Sequence, residues 1–206
     1  MKDKAGYRFT QDWFSHNIPT WQQLFSDHIG HAPRILEIGS FEGRASVWII
    51  DRLARNHNGG ELICIDQWID YPEAPNVDMA AVNACFEQNI YLAAIRAVSV
   101  KVHAIKSESI RALGEMVGSN QMETFDFIYI DGSHRSSGVL VDAVLSFALC
   151  KVKGILAFDD YLWKATANPL ETPRMGIDFF ANAFADKVEA IRYKPLYQVY
   201  FQKMAS

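Results

Sequence analysis

Five short apolar runs, each rich in β-branched and aromatic residues, recur along this chain with helical patterns between them. They are 34–39 (RILEIG), 61–66 (ELICID), 100–106 (VKVHAIK), 125–131 (FDFIYID) and 154–159 (GILAFD). Each has strand length and strand composition. The intervening helical patterns span 43–56, about 78–97, 108–117 and 135–151, and in the last Val141, Val144, Leu145 and Ala148 fall at helical spacing on one face. Two neighbouring parallel strands need a crossover of a dozen or more residues, which these helices supply. The repetition therefore predicts an α/β fold: a Rossmann-like, doubly wound, mostly parallel sheet covered on both faces.

The rhythm changes near the C-terminus. A helix is expected over 174–185 and strands over 187–193 and 196–203, with Lys194 and Pro195 as a tight link. Strands joined so closely pair antiparallel, so the sheet should have seven strands and end in a hairpin. With 206 residues there is room for one sizeable core. We read 1–30 as an N-terminal helical extension and 31–206 as the domain proper.

Composition narrows the function. Twenty basic and 24 acidic residues give a formal net charge of −4, and the basic residues are scattered, which disfavours nucleic acid as a primary partner. Cys64, Cys85 and Cys150 show no CxxC spacing, so core thiols are expected rather than a zinc site or disulfides. No apolar segment reaches the roughly 18 residues needed to span a bilayer, and the N-terminus lacks an apolar signal core; a cytoplasmic protein with no membrane partner is the expectation.

In open α/β sheets, ligands bind beyond the carboxyl ends of the strands. Polar groups gather at those ends here: Glu37 and Gly39, Asp66, Lys106 with Ser107 and Glu108, Asp131 with His134, and Asp159 with Asp160. Gly39 permits a sharp turn and Gly43 opens the next helix. The spacing is E-x-G-x-x-x-G; where a dinucleotide fingerprint has its middle glycine this chain has Phe41, which argues against a pyrophosphate. Glu37 suits a ligand carrying a cation. Asp66, ending the second strand, is the expected partner of ribose hydroxyls, although a loop cap would use the same residue. Trp68 could stack on a base or cover the core. The connection 67–77 (QWIDYPEAPNV) is long for its position and is a candidate lid. Asp131, Asp159 and Asp160 converge if their strands are adjacent, and three such oxygen donors suit Mg²⁺ or another divalent cation. His134 could take a proton near neutral pH, cap the following helix or ligate the ion. Asp126, Asp142 and Asp178 read as surface or capping residues, Tyr161 and Trp163 as plausible substrate contacts, and Trp13, Phe14 and His16 chiefly as anchors of the extension.

Taken together, Glu37, Gly39, Gly43, Asp66, the IDGSH and FDDY stretches and the terminal hairpin resemble the class I S-adenosylmethionine-dependent methyltransferases, within them the small bacterial enzymes that O-methylate sugars and natural products. The resemblance runs from about Arg34 to the C-terminus. It implies that Glu37, Gly39 and Gly43 hold the methionine portion of S-adenosylmethionine, that Asp66 holds its ribose, and that Ser107 and Trp68 lie at the adenine edge, with Ser40, Gln67 and Asp131 also beside the cofactor. It further implies a metal site at Asp131, Asp159 and Asp160, His134 as the base, and a small-molecule hydroxyl as substrate. The alternatives are a nicotinamide-dependent oxidoreductase, a hydrolytic or hydroxylase-like metalloenzyme, and a cofactor-binding protein without methyl transfer. The aromatic N-terminal segment could pack against a second copy, leaving a homodimer open.

Overall fold

A computed structural model describes residues 6–69, 76–164, 168–193 and 197–206. The elements are α1 (Ile18–His28), β1 (Arg34–Ile38), α2 (Arg44–Asn56), β2 (Gly60–Asp66), α3 (Met79–Ala94), β3 (Val100–Lys106), α4 (Ser109–Gly118), β4 (Phe125–Ile130), α5 (Ser136–Leu149), β5 (Cys150–Phe158), α6 (Pro173–Ala183), β6 (Val188–Ile191) and β7 (Val199–Lys203). The seven strands are ordered β3-β2-β1-β4-β5-β7-β6. The first five pair in parallel, and β7 pairs antiparallel with both β5 and β6. The expected hairpin is present, with its second strand rather than its first lying against β5; the predicted link at Lys194 and Pro195 falls outside the described residues.

The apolar runs read as two-sided because both faces of the sheet are covered. Ile35, Leu62, Cys64, Phe127, Tyr129 and Ile155 point into one core with α1, α2 and α3. Leu36, Ile38, Ile63, Ile65, Ile128, Ile130 and Phe158 point into the other with α4, α5 and α6. Alternation along each strand sends successive residues to opposite cores, so β4, central in the sheet, is apolar almost throughout. Cys64 and Cys150 are buried free thiols in these cores.

Helix α1 belongs to the first core rather than lying outside it. Trp21, Leu24 and Phe25 are fully buried. The Trp21 ring meets Phe127 at 5.2 Å and Tyr129 at 4.8 Å, both edge-on, and Phe25 meets Trp48 of α2 at 5.2 Å. Such edge-to-face pairs fix ring orientation as well as burying area.

Three expectations are corrected. Helix α5 buries Val139, Ala143 and Phe147, while Val144 is 41% exposed, so the Val141–Val144–Leu145–Ala148 stripe is not its inner face. A helix apolar on nearly every side gives periodicity no purchase; packing against α4 and α6 decides. Asp142, read as a surface or capping residue, is buried at 1% exposure on that inner face. Strand β5 also begins at Cys150 rather than 154, because a register shift against β4 between Phe125 and Phe127 absorbs 151–153.

Candidate active site

A cleft of about 780 Å³ opens beyond the carboxyl ends of β1, β2, β4 and β5. Its walls include Gly39, Phe41, Asp66, Gln67 and Ser107 on one side and Asp131, His134, Asp159, Asp160 and Trp163 on the other. Strand order reverses between β1 and β4, and the cleft lies at that switch point.

The first side is built by the β1–α2 loop. Gly39 has φ of +84°, and a Cβ there would sit 2.0 Å from the Asp131 carbonyl oxygen. Gly43 has φ of +79°, and its Cβ would press on Phe86 at 3.0 Å. Backbone geometry thus demands both glycines before any ligand is considered. Asp66 closes the loop: Oδ2 accepts from the Ser40 and Phe41 amides at 3.0 and 2.9 Å, and Oδ1 accepts from the Trp68 amide at 2.8 Å. Three of the carboxylate's roughly four acceptor positions are used, which leaves room for a ligand hydroxyl. Beneath the loop, Glu37 is 1% exposed. Its Oε2 accepts from Ser40 Oγ at 2.7 Å and from Ser46 Oγ, while Oε1 is buried with no hydrogen-bond partner among the described residues. Burial raises its pKa against the lowering effect of the two serines and of the Cys64 thiol.

Trp68 settles on one of its two sequence readings. At 4% exposure its ring packs on Phe86 at 4.5 Å, and Nε1 donates to the Phe41 carbonyl at 2.8 Å. It covers the core and pins the loop, away from the cleft lining. Ser40 and Gly43 likewise shape the loop from behind, and of the candidate lid 67–77 the segment 70–75 falls outside the described residues.

The other side is made of acids. Tyr129, on β4, directs its hydroxyl to both Asp131 Oδ2, at 2.9 Å, and Asp159 Oδ2. Asp159 also accepts from Gln198 Nε2 at 2.7 Å and from the Asp160 amide at 2.7 Å. Asp160, with φ of +59°, turns its carboxylate to His134, whose Nε2 lies 2.8 Å from Oδ2. The His134 ring stacks on Trp163 at 4.5 Å. Ligand atoms of Asp131, His134 and Asp160 all lie within 4.8 Å of one another. Burial, then the charges of Asp159 and Asp160, push the Asp131 carboxyl well above the usual range; burial, then Asp160, raises Asp159. The geometry therefore groups His134 with Asp131 and Asp160, while the third expected ligand, Asp159, has both oxygens engaged by protein donors.

Sequence reasoning gave little weight to three residues that line the cleft: Trp13 and His16 from the N-terminal arm, and Tyr197 just before β7. Trp13 is 58% exposed and lies 5.1 Å from Phe41. The only signal for them was aromatic content, which reads equally as core. Tyr161, expected at the entrance, instead donates to Asp178 at 2.8 Å.

The sequence pattern of the methyltransferase domain family matches residues 36–161, more than half the chain and both walls of the cleft. The chain belongs to that family. As a class I methyltransferase domain it is 26% identical over 152 residues to tapetum-specific methyltransferase 1 of Arabidopsis thaliana, covering 72% of this chain and 57% of the relative. The chain thus spans little more than half the length of that curated relative. Its fold is similar to the O-methyltransferase from Bacillus cereus in complex with SAH (TM-score 0.63, 19% identity, 95% of this chain and 84% of that one). It is also similar to the O-methyltransferase NovP (0.62, 14%, 92% and 80%). A third similar structure is MycE, the methyltransferase of the mycinamycin biosynthetic pathway in complex with Mg and SAH (0.58, 14%, 94% and 51%). Among the described residues no helix is long and apolar enough to cross a membrane.

Proposed function

We propose that this methyltransferase uses S-adenosylmethionine to methylate a hydroxyl group of a small molecule, a sugar or natural product, with the help of a divalent cation such as Mg²⁺. One observation carries the reading: a carboxylate oxygen without a partner among the described residues (Glu37 Oε1) is buried beneath the glycine loop on one side of the cleft, and a separate cluster of cation-seeking groups (Asp131, His134, Asp160) lines the other. An ammonium group satisfies the first, and a hard cation the second.

When bound, the cofactor would supply an activated methyl group and the ion would lower the pKa of the acceptor hydroxyl. The protein's own tasks are to align and to exclude water. Glu37 would hold the amino-acid end of the cofactor, Asp66 with Gln67 its ribose, and Ser107 its adenine edge, all on the side that backbone hydrogen bonds already fix. Asp131 and Asp160 would present oxygens to the ion, with Asp159 behind them. A neutral His134 that donates from Nε2 to Asp160 keeps its basic nitrogen at Nδ1, suited to take the hydroxyl proton. The grouping within 4.8 Å favours a second role, His134 as an ion ligand. Scattered positive charge supports a small acceptor over nucleic acid.

Calorimetric titration with S-adenosylhomocysteine and with Mg²⁺, with EDTA as control, tests both halves, followed by an acceptor screen with labelled methyl donor. Binding of both, and label transfer lost with EDTA, is expected. NAD binding in place of the nucleoside would end the proposal. Weakened ion binding in His134→Ala assigns the histidine as ligand; unchanged ion binding with lost turnover assigns it as base.

A further inference from the structure

A buried chain of hydrogen bonds runs from helix α1, on the far side of the first core, to the acidic wall of the cleft. Trp21 Nε1 donates to Gln198 Oε1 at 2.8 Å, and Tyr200 OH donates to the same oxygen at 2.6 Å. An indole nitrogen only donates, so this contact fixes which end of the Gln198 amide is oxygen. Nε2 must then face the acids, and it lies 2.7 Å from Asp159 Oδ2 and 3.4 Å from Tyr129 OH. Every donor and acceptor position of the Gln198 side-chain amide is used, at 2% exposure.

From Asp159 the chain continues to the residues facing the cleft. Asp159 Oδ1 accepts the Asp160 amide at 2.7 Å, which holds Asp160 in a left-handed conformation that non-glycine residues seldom adopt. The neighbouring segment adds a backbone tie, Tyr161 N to Tyr197 O at 2.9 Å. On the other branch Tyr129 OH reaches Asp131 at 2.9 Å. A core position needing only volume would be filled by leucine or methionine at lower desolvation cost. A fully satisfied glutamine in a shell of Trp21, Tyr129 and Tyr200 instead specifies orientation.

We infer that Gln198, oriented by Trp21 and Tyr200, is a positioning residue that sets where Asp160 and Asp131 present their carboxylates to the cleft. The inference rests on the proposed metal-assisted reading for its effect on catalysis, while the linkage itself is a property of the fold. It makes α1 part of the active-site framework.

The test uses the full chain carrying Gln198→Leu or Trp21→Phe, each checked for native circular dichroism, with Mg²⁺ and S-adenosylhomocysteine affinities measured by calorimetry. Gln198→Leu is expected to weaken Mg²⁺ binding about 10- to 100-fold, the usual cost of losing a group that orients a ligand. Nucleoside affinity should stay within about 2-fold, because the Glu37 and Asp66 side is untouched, and kcat should fall with little change in cofactor KM. Trp21→Phe keeps the Tyr200 hydrogen bond and should give a smaller effect in the same direction. Native folding with unchanged Mg²⁺ affinity in Gln198→Leu overturns the inference. If the unaltered protein binds no divalent cation, the metal reading fails and the linkage is judged by NMR. Asp159→Asn should then shift the Trp21 indole N–H resonance in the parent chain and leave it unmoved when Gln198→Leu is also present. An indole resonance indifferent to Asp159→Asn in the parent also overturns it. If Gln198→Leu does not fold, Trp21→Phe and the indole resonance decide.

Discussion

The two walls of the cleft are built on different principles. The wall around Gly39 and Asp66 is made of backbone: amides of Ser40, Phe41 and Trp68 converge on one carboxylate, and two glycines take conformations that a side chain would prevent. The wall around Asp131 and Asp160 is made of side chains whose charges oppose one another. One tyrosine proton is offered to two carboxylates, with Gln198, one backbone amide and the His134 ring as further partners. A loop that closes on its own hydrogen bonds is finished before a ligand arrives; a set of acids brought together at the ends of two different strands gains its balance from what binds there.

The contrast makes Gly39→Ala the most damaging single change. The added carbon would meet the Asp131 carbonyl carbon at 2.5 Å as well as its oxygen, both backbone atoms directly after the central strand, and φ would remain positive. A cost of more than about 4 kcal/mol is expected from clash and strain together. That is a large share of the stability of a domain this size. Thermal denaturation should show a collapsed midpoint or no folded protein. A variant with near-native stability would mean that the loop is not fixed by its backbone.

Breaking the acidic wall should leave the fold standing. Asp160→Asn keeps the shape and removes one charge from the ion cluster, so methyl transfer should fall by about 100-fold or more, with S-adenosylhomocysteine affinity changed less than about 3-fold. Its melting temperature should hold or rise, because a like charge beside Asp131 and Asp159 has been removed. Equal loss in activity and in nucleoside binding would dissolve the distinction between the walls.

Behind the acidic wall, on the inner face of α5, Asp142 has Oδ2 buried and without a partner among the described residues, about 3.5 Å from where a Cβ on Gly132 would stand. Burial raises its pKa from 3.8 to about 6, only partly offset by a hydrogen bond from Ser109. The folded state therefore holds a proton that the unfolded chain has already released. Stability falls as pH rises from about 4 through 6, and the group's ionised form is the costly one. Asp142→Asn should flatten that part of the stability–pH curve and gain on the order of 2 kcal/mol at pH 7. Urea midpoints measured from pH 4 to 8 check it; parallel curves for both proteins would place the cost elsewhere.

How much of this was legible in the sequence follows the same division. The parallel strands, the covering helices and the terminal hairpin came from local periodicity, and the glycine loop from spacing within a few residues. The acidic wall was legible as a list of residues, since Asp131, His134, Asp159 and Asp160 each follow a strand. Their division of labour was not, because it depends on Gln198, some forty residues from Asp159 and on the approach to a different strand. Nor did spacing reveal that β7 would insert beside β5 and carry Tyr197 into the cleft. Asp142 was misread for a related reason: a charged residue on an apolar helix reads as the exposed face until the packing of α4 and α6 is known.

The smallest effect concerns an unfinished element of the backbone-built wall. Glu37 Oε1 has no partner among the described residues and burial raises the carboxyl's pKa, so the ionised form is maintained at a cost when nothing is bound. With a folded value above the unfolded one, that cost is absent at low pH and appears as pH rises through the folded value. Glu37→Gln removes the charge while keeping acceptor capacity towards Ser40 and Ser46. At pH 7 the unliganded variant should melt at or above the temperature of the parent. Affinity for S-adenosylhomocysteine, whose ammonium group loses its counter-charge, should drop about 10-fold, near 1.4 kcal/mol. Stability and affinity moving in opposite directions is what a site held ready for a cation requires. If both fall together, Glu37 is a strut of the loop, and the two walls differ less than their hydrogen bonds suggest.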